Sequence, residues 1–102
     1  MEVARINSFE FPTEKAMDEF IALHEKQGAG SVSKYATIQM AVRTSPTSLL
    51  AVLVFPNQAA ANAGLAHRNK VMTEIKFEEE WFLEGEFLQL YQNHMARKLK
   101  PE

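Results

Sequence analysis

One heptapeptide constrains this chain more than any other feature. Leu49 to Phe55 reads LLAVLVF and is its longest unbroken apolar run. A bilayer span needs about 20 such residues, so the run is no membrane helix. It is rich in β-formers and bounded by Thr44-Ser45-Pro46-Thr47 and Pro56-Asn57, which marks it as a strand. In a strand, Leu49, Ala51, Leu53 and Phe55 face one way, and Leu50, Val52 and Val54 the other. Both sides are apolar, so the sheet that holds this strand must be covered on both faces. Burying one large apolar side chain is worth roughly 1.5–3 kcal/mol, and a row of them left wet would be costly and adhesive.

The flanking segments supply the rest of the fold. Residues 2–11 alternate, with Val3, Arg5, Asn7 and Phe9 set against Ala4, Ile6, Ser8 and Glu10, and read as a first strand. Pro12 and Thr13 open a helix, with Thr13 as its cap, and Ala16, Met17, Phe20, Ile21 and Leu23 form its apolar stripe. Gly28 and Gly30 end it. Val32 to Arg43 is a second alternating run that forms a hairpin with LLAVLVF across the Thr44–Thr47 turn. Asn57 caps a second helix over residues 58–76. Its stripe includes Ala60, Ala61, Gly64, Leu65, His67, Arg68, Val71, Met72 and Ile75. Residues 78–82 are ambiguous. Gly85 precedes a last strand over residues 86–92, with Leu88 and Leu90 on one face and Phe87, Gln89 and Tyr91 on the other. The order β-α-β-β-α-β is a ferredoxin-like α+β arrangement: a four-stranded antiparallel sheet with two helices on one face. Residues 1–95 read as a single domain and residues 96–102 as a solvated tail.

Composition narrows the function classes. At 102 residues the chain makes one domain. It has no cysteine, which removes disulfides, thiolate metal sites and thiol nucleophiles. Lys plus Arg number 11 and Asp plus Glu 13, a net charge of −2, so there is no basic footprint for nucleic acid. Glu2, Arg5, Asn7 and Glu10 interrupt the start of the chain, so no secretory signal is read there and a cytoplasmic location is the expectation. His24, His67 and His94 lack zinc-type spacing, no glycine-rich phosphate loop is present, and Glu78, Glu79 and Glu80 read as a solvated face.

Two helices cover only one side of a sheet. The expected helix-side face is Ala4, Ile6, Ile38, Met40, Val42, Leu88 and Leu90. Arg5, Asn7, Tyr35, Thr37, Gln39, Gln89 and Tyr91 then ring the apolar centre strand on the far face. An apolar centre with a polar rim suits a protein interface, so the expectation is a homodimer packed sheet to sheet. The opposing reading is a monomer with a short hydrophobic centre strand.

The layout resembles the dimeric α+β barrel superfamily, in particular its antibiotic-biosynthesis-monooxygenase-like branch. The likeness rests on VFPNQAAANAGLAHRN, a strand, polar break and alanine-rich helix, on FLEGEFLQLY ahead of the last strand, and on overall length. It implies a ligand cavity between helices and sheet. The superfamily includes cofactor-independent monooxygenases of polycyclic aromatic substrates, haem-degrading enzymes, isomerases and regulatory modules, and fold alone does not choose among them. Asn7 matches in placement the first-strand Asn of the haem-degrading members. Their Trp precedes the helix His, whereas Trp81 follows His67, so Trp81 reads instead as a lid or interface anchor.

His67 is the leading catalytic candidate, because imidazole on an inner helix face is a natural general base or donor. A boundary histidine bonded to a neighbour is the plainer reading. Gly64, three residues earlier, costs about 1 kcal/mol against alanine in a helix and so needs a reason: close packing or room for a ligand. His24 faces the same cavity or simply favours its helix C-terminus. Tyr35, with Thr37, Gln39 and Arg43, suits a polar or anionic ligand or an interface rim. Asn7, His24, Tyr35, Gly64 and Trp81 complete the substrate-binding set, and no cofactor or metal is expected. The functional expectation is a monooxygenase-like enzyme acting on a small aromatic or apolar organic molecule. The alternative is a non-enzymatic, homodimeric ligand-binding or stress-related module. An amino-acid-binding regulator ranks last, since the chain lacks room for a DNA-binding domain.

Overall fold

The computed structural model describes residues 1–27, 34–71 and 77–90. Its elements run β1 (Val3–Glu10), α1 (Glu14–Gln27), β2 (Ile38–Ser45), β3 (Ser48–Phe55), α2 (Gln58–Val71) and β4 (Glu79–Glu86). The sheet order is β2-β3-β1-β4, with every neighbouring pair antiparallel. This is the ferredoxin-like α+β fold, with β1 and β3 central and β2 and β4 at the edges.

Local chemistry fixes the boundaries. Thr13 Oγ1 accepts the Ala16 amide at 3.0 Å and caps α1. Asn57 Oδ1 accepts the Ala60 amide at 2.8 Å and caps α2. The β2–β3 hairpin turns at Pro46 and Thr47. There Ser48 and Thr47 donate their hydroxyls to the two carboxylate oxygens of Glu10, tying the end of β1 to the hairpin. The expected helix stops Gly28 and Gly30, the end of α2 beyond Val71, and Tyr91, Gln92 and His94 lie outside the described residues.

The last strand is not where alternation placed it. It occupies Glu79–Glu86 instead of 86–92, and Leu88 and Leu90 lie outside any strand, exposed. Phe77 sets this register. Its ring packs against Phe9 (4.9 Å between centroids), Phe11 (5.2 Å) and Phe20 (6.0 Å), so the chain is anchored beside the end of β1 and pairs from there. The Glu78 amide donates to the Glu10 carbonyl at one end of the ladder, and the Phe87 amide to the Glu2 carbonyl at the other. Gly85, expected just ahead of the last strand, sits within this edge strand.

The sheet is also turned over relative to expectation. Val3, Arg5, Asn7 and Phe9 are the buried residues of β1, and register aligns them with Phe55, Leu53, Ala51 and Leu49 of β3. This face meets the helices. The other face carries Met40, Val52, Ile6 and Leu83 in one row and Val42, Leu50, Ser8 and Trp81 in the next. Ala4, Ile6, Ile38, Met40 and Val42 therefore do not lie under the helices, and Arg5, Asn7 and Gln39 do. The reason is that Val3 and Phe9 share the parity of Arg5 and Asn7, and the large ring of Phe9 has a phenylalanine cluster to join.

The helix-side core has two parts. Phe9, Phe11, Met17, Phe20 and Leu49, with Phe77 against them, form one cluster under α1. Val3, Ala36, Phe55 and Ala61 form a second under α2.

Candidate functional site

Between these clusters lies a cavity of about 330 Å³, bordered by the inner sheet face and both helices. Its apolar wall comes from Phe9, Leu49, Ala51, Leu53 and Phe55 on the sheet and Phe20 and Ile21 on α1. Ligand pockets typically span about 300–1,000 Å³ with a few placed polar groups on an apolar lining, so this cavity suits a small molecule.

The polar groups come from the inward positions of β1 and β2 and from the helices: Arg5, Asn7, Gln39, His24, Glu25 and Arg68. Asn7 is 4% exposed, and its amide makes no hydrogen bond among the described residues. Arg5 is 3% exposed. Its Nε and Nη2 both donate to Glu84 Oε2, at 3.1 and 2.5 Å. Its guanidinium carbon lies 5.4 Å from the ring centre of Phe55 and 5.5 Å from that of Phe82, a cation–π setting. Gln58 Nε2 donates to the other oxygen of Glu84. The Gln58 bond, then the Arg5 bond, hold the Glu84 carboxyl below the usual glutamate range against the opposing effect of burial. Arg68 repeats the arrangement, pairing with Glu80 at 2.6 Å and lying 5.3 Å from the Phe9 ring centre. Inward residues of β4 thus brace both arginines from the sheet edge.

Of the residues singled out from sequence, the structure brings Asn7, His24 and Gly64 to the cavity. His24 stands exposed at its rim, next to the Phe20 ring. Gly64 lets α2 approach the sheet: a Cβ there would stand 2.8 Å from Phe55 Cε1. His67 and Tyr35 pack on each other, ring centres 5.8 Å apart, away from the cavity wall. His67 Nε2 is buried and has no hydrogen-bond partner among the described residues. Trp81 projects from the opposite sheet face, 45% exposed. Gln39, offered from sequence as a polar-ligand contact, lines the cavity too, whereas sequence reasoning missed Arg5, Arg68 and Glu84. The pattern Val3-x-Arg5-x-Asn7-x-Phe9 held the signal, because two polar residues share a strand face with two large apolar ones. Among the described residues no cluster of three His, Asp or Glu side chains could hold a metal, and no helix is long and apolar enough to cross a membrane.

No family model matches the chain, and no curated protein does. Solved structures do match. A cofactor-independent oxygenase, SnoaB of Streptomyces nogalater, superimposes with a TM-score of 0.63 at 14% identity, covering 90% of this chain and 98% of that one. A dimeric ferredoxin-like protein from an uncultured marine organism gives 0.68 at 9% identity, covering 91% and 100%. The fold shared with these structures is the ferredoxin-like α+β arrangement. A protein of unknown function from Nitrosomonas europaea, with a TM-score of 0.69 at 16% identity over 90% and 94% of the two chains, shares it too. At these identities the likeness concerns the fold alone.

Proposed function

We propose that the cavity binds a small, mostly aromatic molecule and that the protein acts on it as a cofactor-independent monooxygenase-like enzyme. The observation that carries this reading is the apolar cavity itself, with the guanidinium of Arg5 and the buried Asn7 amide, which has no partner among the described residues, in its floor. Without a cofactor, the substrate must supply the electrons: an activated methylene plus O2 becomes a carbonyl plus water. Such a substrate first loses a proton and develops an oxyanion. His24 is the imidazole placed at the cavity rim to accept a proton, and Asn7 and Arg5 are the donors placed to stabilise a developing negative oxygen.

Bicyclic 2-tetralone, whose benzylic methylene adjoins a carbonyl, is a suitable probe. Oxygen uptake above the buffer rate, without added flavin or metal, is the expected result, and His24→Ala and Asn7→Ala each reduce it at least tenfold. Binding without oxygen uptake would favour the second reading, a non-enzymatic ligand-binding module. That reading is supported by the position of His67, the leading catalytic candidate from sequence, outside the cavity.

The outer sheet face bears on assembly. Met40, Val42, Trp81 and Leu83 are 45–60% exposed and adjoin Ile6, Leu50 and Val52. Monomers rarely leave such a contiguous apolar face in water. In this reading a second copy covers it, sheet against sheet.

A further inference from the structure

Both arginines in the cavity wall already have a carboxylate, and both carboxylates come from β4. Glu84 does not itself line the cavity. It holds Arg5 through Nε and Nη2, while Gln58 occupies its second oxygen. Arg5 with no such partner would place a full positive charge in the floor of a largely apolar cavity and would draw anions. With Glu84 in place the pair is neutral as a ligand meets it. The N–H groups of Arg5 turned away from Glu84, and the Asn7 amide, without a partner among the described residues, remain as hydrogen-bonding groups.

An entering carboxylate would gain the guanidinium but meet Glu84 as a like charge behind it. It would also give up its hydration in an apolar enclosure, a loss that Coulomb attraction to a neutralised pair does not offset. A neutral oxygen gives up far less water and makes the same hydrogen bonds. We propose that Glu84 is a specificity-determining, positioning residue: by cancelling the charge of Arg5 it makes the cavity select neutral, oxygen-bearing ligands over anionic ones. This rests on the cavity reading above and adds a rule for what the cavity accepts.

The test compares 2-naphthol with 2-naphthoate, two probes with the same ring system and different charge, by calorimetric titration at neutral pH. Wild-type protein should bind the naphthol at least tenfold more tightly. Glu84→Gln keeps the shape and the hydrogen bonds but removes the charge. It should tighten naphthoate at least tenfold while moving naphthol less than threefold. Arg5→Met in the Glu84→Gln background should restore the wild-type preference, which a purely structural role for Glu84 would not do. Equal binding of the two probes by wild-type protein would overturn the proposal and leave the cavity reading standing. A folded Glu84→Gln variant with an unmoved ratio would overturn it in the same way. Binding of neither probe would overturn both. The wild-type ratio alone decides the matter if the variants do not fold.

Discussion

An alanine at position 64 would put its methyl 2.8 Å from Cε1 of Phe55, whose ring is almost wholly enclosed. That ring is no flexible tip that can swing aside. Alanine gains about 1 kcal/mol of helix propensity, while overpacking a filled site costs about 1–3 kcal/mol. Gly64→Ala should therefore lower stability by about 1 kcal/mol net in urea unfolding, in contrast to the stabilisation a solvent-facing helix glycine would give. His67 is the opposite case, a polar atom enclosed with nothing to bond among the described residues. Unsatisfied buried polar atoms cost about 1–3 kcal/mol. His67→Leu should raise the urea midpoint and leave 2-naphthol affinity within twofold of wild type, since the ring lies off the cavity. Helical spacing located His67 on an inner face correctly enough to single it out. It could not show that this part of the face packs on Tyr35.

At the scale of elements, β4 is held to the sheet by more than its ladder. Its inward residues Glu80 and Glu84 grip Arg68 and Arg5. Glu84 and Glu10 both have carboxyls held below the ordinary range, Glu84 by Gln58 and Arg5, Glu10 by Ser48 and Thr47. A depressed folded value means that the unfolded chain takes up protons first as pH falls. The stability these groups contribute is fully present above the ordinary glutamate range and is lost as pH drops through their lowered values. Thermal melts should hold from pH 7 to about 5 and fall below it, with a shallower fall in Glu84→Gln. The same strand shows where sequence reading stopped. β1, the hairpin turn and both helix caps were legible because Thr13, Asn57, Pro46 and the alternation are local signals, but β2 begins at Ile38 and not at Val32, so Tyr35 and Thr37 precede the strand they were expected on. β4 was not, because Glu78-Glu79-Glu80 looks like a solvated face and Gly85 like the lead-in to a strand that starts after it. Its position follows from Phe77 packing on Phe9 and Phe11, residues far away in sequence. Which face of the sheet meets the helices was equally illegible, since Ile6 and Val52 on one side are as apolar as Leu49 and Leu53 on the other. Asn7 and His24 could be named from sequence. Glu84 could not, because its role depends on a cross-strand pairing with Arg5.

For the molecule as a whole, the doubly apolar run Leu49–Phe55 implies a second layer on the far side of the sheet. Sedimentation should give about twice the chain mass of 11.6 kDa. Leu83→Glu, in the middle of the outer face, should shift it to the single-chain mass without loss of helix signal. A species of one chain mass in the wild type at micromolar concentration would remove the sheet-to-sheet dimer. The division of the core into two clusters has a further consequence. Phe20 and Met17 tie α1 to one end of the sheet, while Ala61 and Phe55 tie α2 to the other, with empty space between. The two helices therefore have separate moorings and can loosen separately, so amide protons of α1 and α2 should exchange with solvent at independent rates in the free protein. A molecule seated in the gap would touch both moorings at once and act as the missing keystone, drawing the two exchange rates together.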